Sequence, residues 1–136
     1  MEIEQIAVVV GYILIMIAAV SEAIMDKIQF HYDKSIFADK KVNQLFWNPI
    51  ESWKNKWKDD LKTEKFLGSS TIFVFTTDAW HLFKFFRNIS LFIGLPLITF
   101  GEYYLFIQII IARIVYGLMF TLYFDVILVN QEKSSK

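Results

Sequence analysis

Between Ile6 and Met25 the chain carries a single charged side chain, Glu22. At about 1.5 Å per helical residue, a run of this length spans the ~30 Å hydrocarbon core of a bilayer. A helix apolar on nearly every face belongs inside a large core or inside a membrane, and 136 residues make too small a chain for the first. The run therefore predicts a transmembrane helix over about 6–25. It does not read as a cleaved leader. Glu2 and Glu4 stand where a leader carries Lys or Arg, and no small-residue cleavage site closes a short apolar core.

Two further stretches follow the pattern. Residues 66–100 are mostly apolar, interrupted by Asp78, His81, Lys84 and Arg87. Residues 103–129 are apolar apart from Gln108, Arg113 and Asp125. Gly101-Glu102 is the turn between them, so a second span within 66–100 and a third over about 103–129 form a helical hairpin. The second is expected to begin ahead of the membrane as a long helix emerging from it. The whole chain, 1–136, forms one membrane domain. Its 55% hydrophobic content supports this, since soluble domains hold about 45–50% by a count that also includes Gly.

Residues 26–65 differ, with nine of the fourteen basic residues and seven acids. Asn48-Pro49 has the form of a helix start, and Ile50, Trp53, Trp57 and Leu61 then share one helical face, with Lys54, Lys56 and Lys58 elsewhere. That pattern predicts an amphipathic helix in the headgroup region; the alternative is a small subdomain with a Trp-containing core. The fold class is thus an all-α integral membrane protein. It has three transmembrane helices and an amphipathic, Trp-rich cytoplasmic segment between the first two. Lys enrichment in 26–65 and in the tail (Lys133, Lys136), against its absence at the N-terminus and at Gly101, places the N-terminus outside and the C-terminus in the cytoplasm, as in a bacterial inner membrane.

Counting residues from each end brings Glu22, Asp26, Asp78, His81 and Asp125 to one depth, the cytoplasmic boundary. Glu22 and Asp26 lie four apart and Asp78 and His81 three apart, so each pair shares a helix face. Arg113, Gly117, Thr121 and Asp125 recur every fourth residue. Carboxylates with imidazole from separate helices suit Zn, Mn or Fe. Asp26, Asp78 and His81 are the candidate ligands, with His31 as an additional imidazole and Glu22 as a ligand or general base. Lys84 and Arg87 are candidate contacts to a phosphate or headgroup. Arg113 and Asp125 are structural polar residues, and Arg113, about ten residues into its span, is expected to pair with Glu22.

Several functions are excluded. The chain has no Cys, which removes disulfides and thiolate chemistry. Its five glycines build no phosphate-binding loop. Fourteen basic residues balance fourteen acidic ones, against a nucleic-acid partner. Two readings remain. One is a helical subunit, scaffold or oligomeric channel component, partnered by the bilayer and by further copies or another membrane protein. The other is a metal-dependent membrane enzyme acting on a lipid headgroup or amphiphile.

Overall fold

The computed structural model describes residues 2–59, 61–99 and 104–130. Three long helices form a bundle: α1 (Ile3–Phe30), α3 (Ala79–Ile98) and α4 (Leu105–Thr121), the last continuing through a π-helical segment, Leu122–Ile127. Each is long and apolar enough to cross a membrane. A single turn, α2 (Gln44–Trp47), lies between α1 and α3. The expected Gly101 turn and the basic tail with Lys133 and Lys136 fall outside the described residues.

α1 is the central helix. Its most apolar stretch is 44% buried, against 17% for α3 and 6% for α4. α3 runs antiparallel to it, with Ile98 against Gly11 at one end and Trp80 bonded to Gln29 at the other. α4 runs parallel to α1: Tyr12 bonds Gln108, Glu22 bonds Tyr116, and the Lys27 ammonium sits 3.9 Å from the Phe124 ring centroid. The α1–α3 backbones meet at two glycines. A Cβ on Gly11 would stand 2.8 Å from the Ile98 nitrogen, and one on Gly94 would stand 2.9 Å from the Leu14 Cβ. Small residues of this kind let membrane helices approach closely enough for dispersion to hold them.

α1 outruns its apolar core because nothing breaks it before His31, whose N–H still bonds the Lys27 carbonyl. α3 begins at Ala79, and the residues before it are turns and short 3₁₀ segments, not the long emerging helix expected. Asp78 sets that boundary: its side chain accepts from the His81 N–H at 2.9 Å, an N-cap bond.

The segment between α1 and α3 folds as a cap on the bundle end. Phe37 stacks on Trp47 at 4.3 Å, and both pack into a core with Ala23, Ile24 and Ile28 of α1, Ala79 of α3 and Leu128. The cap therefore has no core separate from the helices. It is also stitched to the end of α4: Ser35 pairs with Val129, and Asn130 donates to the Lys34 carbonyl at 2.8 Å.

The amphipathic helix expected after Asn48-Pro49 does not form. The chain makes a 3₁₀ turn at Ser52–Lys56, and then Trp57 is extended and pairs with Glu64. The Lys56 carbonyl explains why. It accepts from the Lys65 N–H at 3.0 Å and the Ser69 hydroxyl at 2.7 Å, both brought to it by the returning chain. The reversal runs through Leu61 at φ 54°. The packed Trp of the cap is Trp47, while Ile50, Trp53 and Leu61 stay exposed.

Glu64 organises the returning arm. Its carboxylate accepts from the Gly68 N–H at 2.9 Å, the Ser70 N–H at 3.1 Å and the Ser70 hydroxyl. These bonds favour the ionised form and hold its pKa below the ordinary 4.5. A folded pKa below the unfolded one means the stabilisation is complete above the unfolded value and lost as pH falls through the folded one. Gly68 and Ser70 amides are therefore expected to lose hydrogen-exchange protection, corrected for intrinsic rate, as the pH is taken below the ordinary 4.5 and through the lowered folded value. Glu64→Gln should show weakened protection already at neutral pH.

Candidate functional site

The polar residues of the three helices separate into two groups. The first lies along the parallel seam between α1 and α4. Glu22 sits two turns from the end of α1. Its Oε2 accepts from the Tyr116 hydroxyl and its Oε1 lies 3.5 Å from the Arg87 Nη1, so α1, α3 and α4 meet at one carboxylate. Arg87, a phosphate candidate by sequence, also donates to Asn88 Oδ1 at 3.2 and 3.3 Å. Beside Glu22 a cavity of 320 Å³ opens between α1 and α4, lined by Asp26, Arg113, Gly117 and Thr121 among others. The i,i+4 spacings of Glu22 with Asp26 and of Arg113, Gly117 and Thr121 thus bring those residues to one space.

Arg113 shares that space without pairing. The expected Glu22–Arg113 ion pair is replaced by Glu22 with Arg87 and Tyr116, and among the described residues no carboxylate lies within 4.0 Å of the Arg113 guanidinium. Arg113 is exposed, with Nη1 only 3.2 Å from where a Gly117 Cβ would stand. The missing side chain at Gly117 lets the guanidinium lie along α4. Asp125 is exposed on the π-helical segment. There the wider turn, with the Leu128 N–H bonded to the Tyr123 carbonyl, breaks the every-fourth-residue stripe.

The second group is at the cap. The buried Asp78 holds His81 Nδ1 at 2.7 and 2.9 Å, accepts the His81 N–H, and takes a longer contact from the Thr77 hydroxyl at 3.4 Å. Lys84 lies 4.7 Å from the Trp80 ring centroid. His31 stands apart, edge-on to Phe124 at 5.4 Å. The sequence-predicted ligands are therefore divided: Asp26 on the α1–α4 seam, Asp78 and His81 at the start of α3, His31 against α4. Among the described residues no three His, Asp or Glu side chains gather to hold a metal ion.

Sequence reasoning passed over Tyr116, Gln29, Ser52 and Lys56. Tyr116 was readable, three residues beyond Arg113 and so on the same face. The others were not: Trp80 of α3 reaches Gln29, and the 3₁₀ turn brings Ser52 and Lys56 to the end of α1.

Comparison with protein-family models, with curated proteins and with solved structures finds no match.

Proposed function

We propose that this chain is a helical subunit of a membrane assembly, with its N-terminus outside and its C-terminus cytoplasmic, and that a partner helix carrying a carboxylate covers α4 at the level of Arg113. The observation that carries the reading is Arg113 itself. It stands about 12 Å along α4, on the least buried helix of the bundle, exposed and without an acid among the described residues. A guanidinium at that depth costs several kcal/mol unless protein or water receives it. The chain's own acids do not favour a second copy as the covering chain. Glu22 is engaged, and Asp26 and Asp125 lie nearer the cap end. The partner is therefore a different membrane helix with Asp or Glu near mid-span.

Photo-crosslinkers at Ile110 and Ile114 should trap one discrete partner in native membranes. Arg113→Leu should abolish that product, and Arg113→Lys should retain part of it. A chain that stays monomeric, gives no product, and loses no stability on Arg113→Leu would sink the reading.

Orientation has its own expected result. Cysteine at Glu4 should react with an impermeant reagent added outside intact cells, and cysteine at Lys58 should not. Labelling at Lys58 would invert the topology.

A further inference from the structure

A cavity of 280 Å³ lies where three segments meet: the last turn of α1, the 3₁₀ turn at Ser52–Lys56 and the first turn of α3. It exceeds the ~30 Å³ share of one water several times over, so it has room for a group of several heavy atoms. Its chemistry is one-sided. Lys56 lines it and has no acid within ion-pair distance among the described residues. Ser52 lines it at 7% exposure, and its hydroxyl finds no hydrogen-bond partner among the described residues. A buried hydroxyl left without a partner is costly, so it marks a place where something binds. Gln29 uses its Oε1 to accept from Trp80 Nε1 at 3.0 Å, which turns its amide NH₂ into the remaining donor. Asp78 is the acid of the cavity, and its oxygens already accept from the His81 N–H and the His81 ring, while the Thr77 hydroxyl donates to the Val74 carbonyl. The cavity thus offers donors, one of them cationic, while the carboxylate is already occupied.

We propose that this cavity binds a phosphate group, carried by a lipid headgroup or free in solution, with Lys56, Ser52 and Gln29 as its hydrogen-bond donors and Trp53 and Trp80 as its apolar walls. Charge-assisted bonds from an ammonium to phosphate oxygens are strong and suit an acceptor-only ligand. The location agrees. The cavity sits where α1 ends and α3 starts, the level of headgroups for helices that cross a bilayer, and Trp is the residue of that interface. None of the groups of the α1–α4 seam lines this cavity, so the site stands or falls apart from the partner helix at Arg113.

The test is a tryptophan-fluorescence titration of the purified chain in dodecyl maltoside. The probes are dihexanoyl phosphatidic acid, inorganic phosphate and dihexanoylglycerol. A saturable change with the phosphatidic acid is expected. Lys56→Gln should weaken it about tenfold, the loss of one charge-assisted hydrogen bond. Ser52→Ala should weaken it less, and Lys56→Arg should restore most of the affinity. Lys40→Gln, in another turn of the cap, should leave it unchanged. Equal saturation by inorganic phosphate supports the phosphate site and makes the free anion its source; saturation by the phosphatidic acid alone makes the lipid its source. Equal response to dihexanoylglycerol overturns the proposal, as does unchanged affinity in both Lys56→Gln and Ser52→Ala. Thermal melts of each variant separate lost binding from lost folding.

Discussion

Gly94→Ala should destabilise the bundle by about 1–3 kcal/mol, although Ala is the better helix former by about 1 kcal/mol. The new methyl would stand 2.9 Å from the Leu14 Cβ and 3.1 Å from the Gly11 carbonyl oxygen. Neither can swing aside as a flexible side-chain tip would, so the helices must part. Gly11→Ala should behave alike, its methyl meeting the Ile98 nitrogen at 2.8 Å. Gly117→Ala is the control. Its methyl meets only the Arg113 Nη1 at 3.2 Å, the mobile end of a long side chain, so helix propensity should dominate and the change should be neutral or stabilising. Unfolding in mixed detergent micelles measures all three. Equal stability of Gly94→Ala and Gly117→Ala would mean that α1 and α3 do not meet at their glycines.

The second large effect is expected at Glu22. Glu22→Leu removes the carboxylate shared by Arg87 and the Tyr116 hydroxyl, leaving Arg87 with Asn88 alone. Removing one partner of a buried ion pair costs about 3–5 kcal/mol. Side-chain exposures of 27% for Arg87 and 32% for Glu22 put the expected loss below that range, at about 2 kcal/mol. Adding Arg87→Leu should recover part of it, since two apolar groups replace a pair instead of orphaning one member. Adding Arg113→Leu should recover nothing. A double-mutant cycle on unfolding free energies decides between the two arginines. Coupling of Glu22 to Arg113 and not to Arg87 would reverse the assignment.

These pairings show what the sequence carried and what it did not. Residue counting along an α-helix gives depth, and it puts Glu22, Asp26, Asp78 and His81 within a few turns of one another. It does not give the direction around the axis in which each helix faces its neighbours. Asp26 turns toward α4 while Asp78 and His81 turn toward the cap, so residues at similar depth are kept apart. The three helices were legible because an unbroken apolar run needs no partner to be recognised. Spacing also placed Glu22 with Asp26, and Arg113 with Thr121, on shared faces. The cap was not legible for a different reason. Its bonds join residues far apart in the chain, such as Ser35 with Val129 and Asn55 with the Thr77 carbonyl. The Lys–Trp periodicity from 50 to 61 was real but weaker than the competition for the Lys56 carbonyl. Within α4 the every-fourth-residue stripe held as far as Thr121 and failed at Asp125, where the backbone widens.

The partners of Glu22 come from α3 and α4, both made after α1, and this has a consequence for the order of assembly. In a membrane, a ribosome delivering this chain releases α1 first, when neither Arg87 nor Tyr116 exists to receive the carboxylate. On insertion scales a lone acid costs about 2.5–3.5 kcal/mol even at the centre of a span, an upper figure for Glu22 two turns from the helix end, while each Leu, Ile or Val returns about 0.3–0.6 kcal/mol. The valines, isoleucines and leucine between Ile6 and Ile17 number eight, enough to offset the acid. Were the chain threaded into a bilayer in this order, the first half of α1 would be apolar enough to hold the unfinished helix there until the later helices closed around its charge.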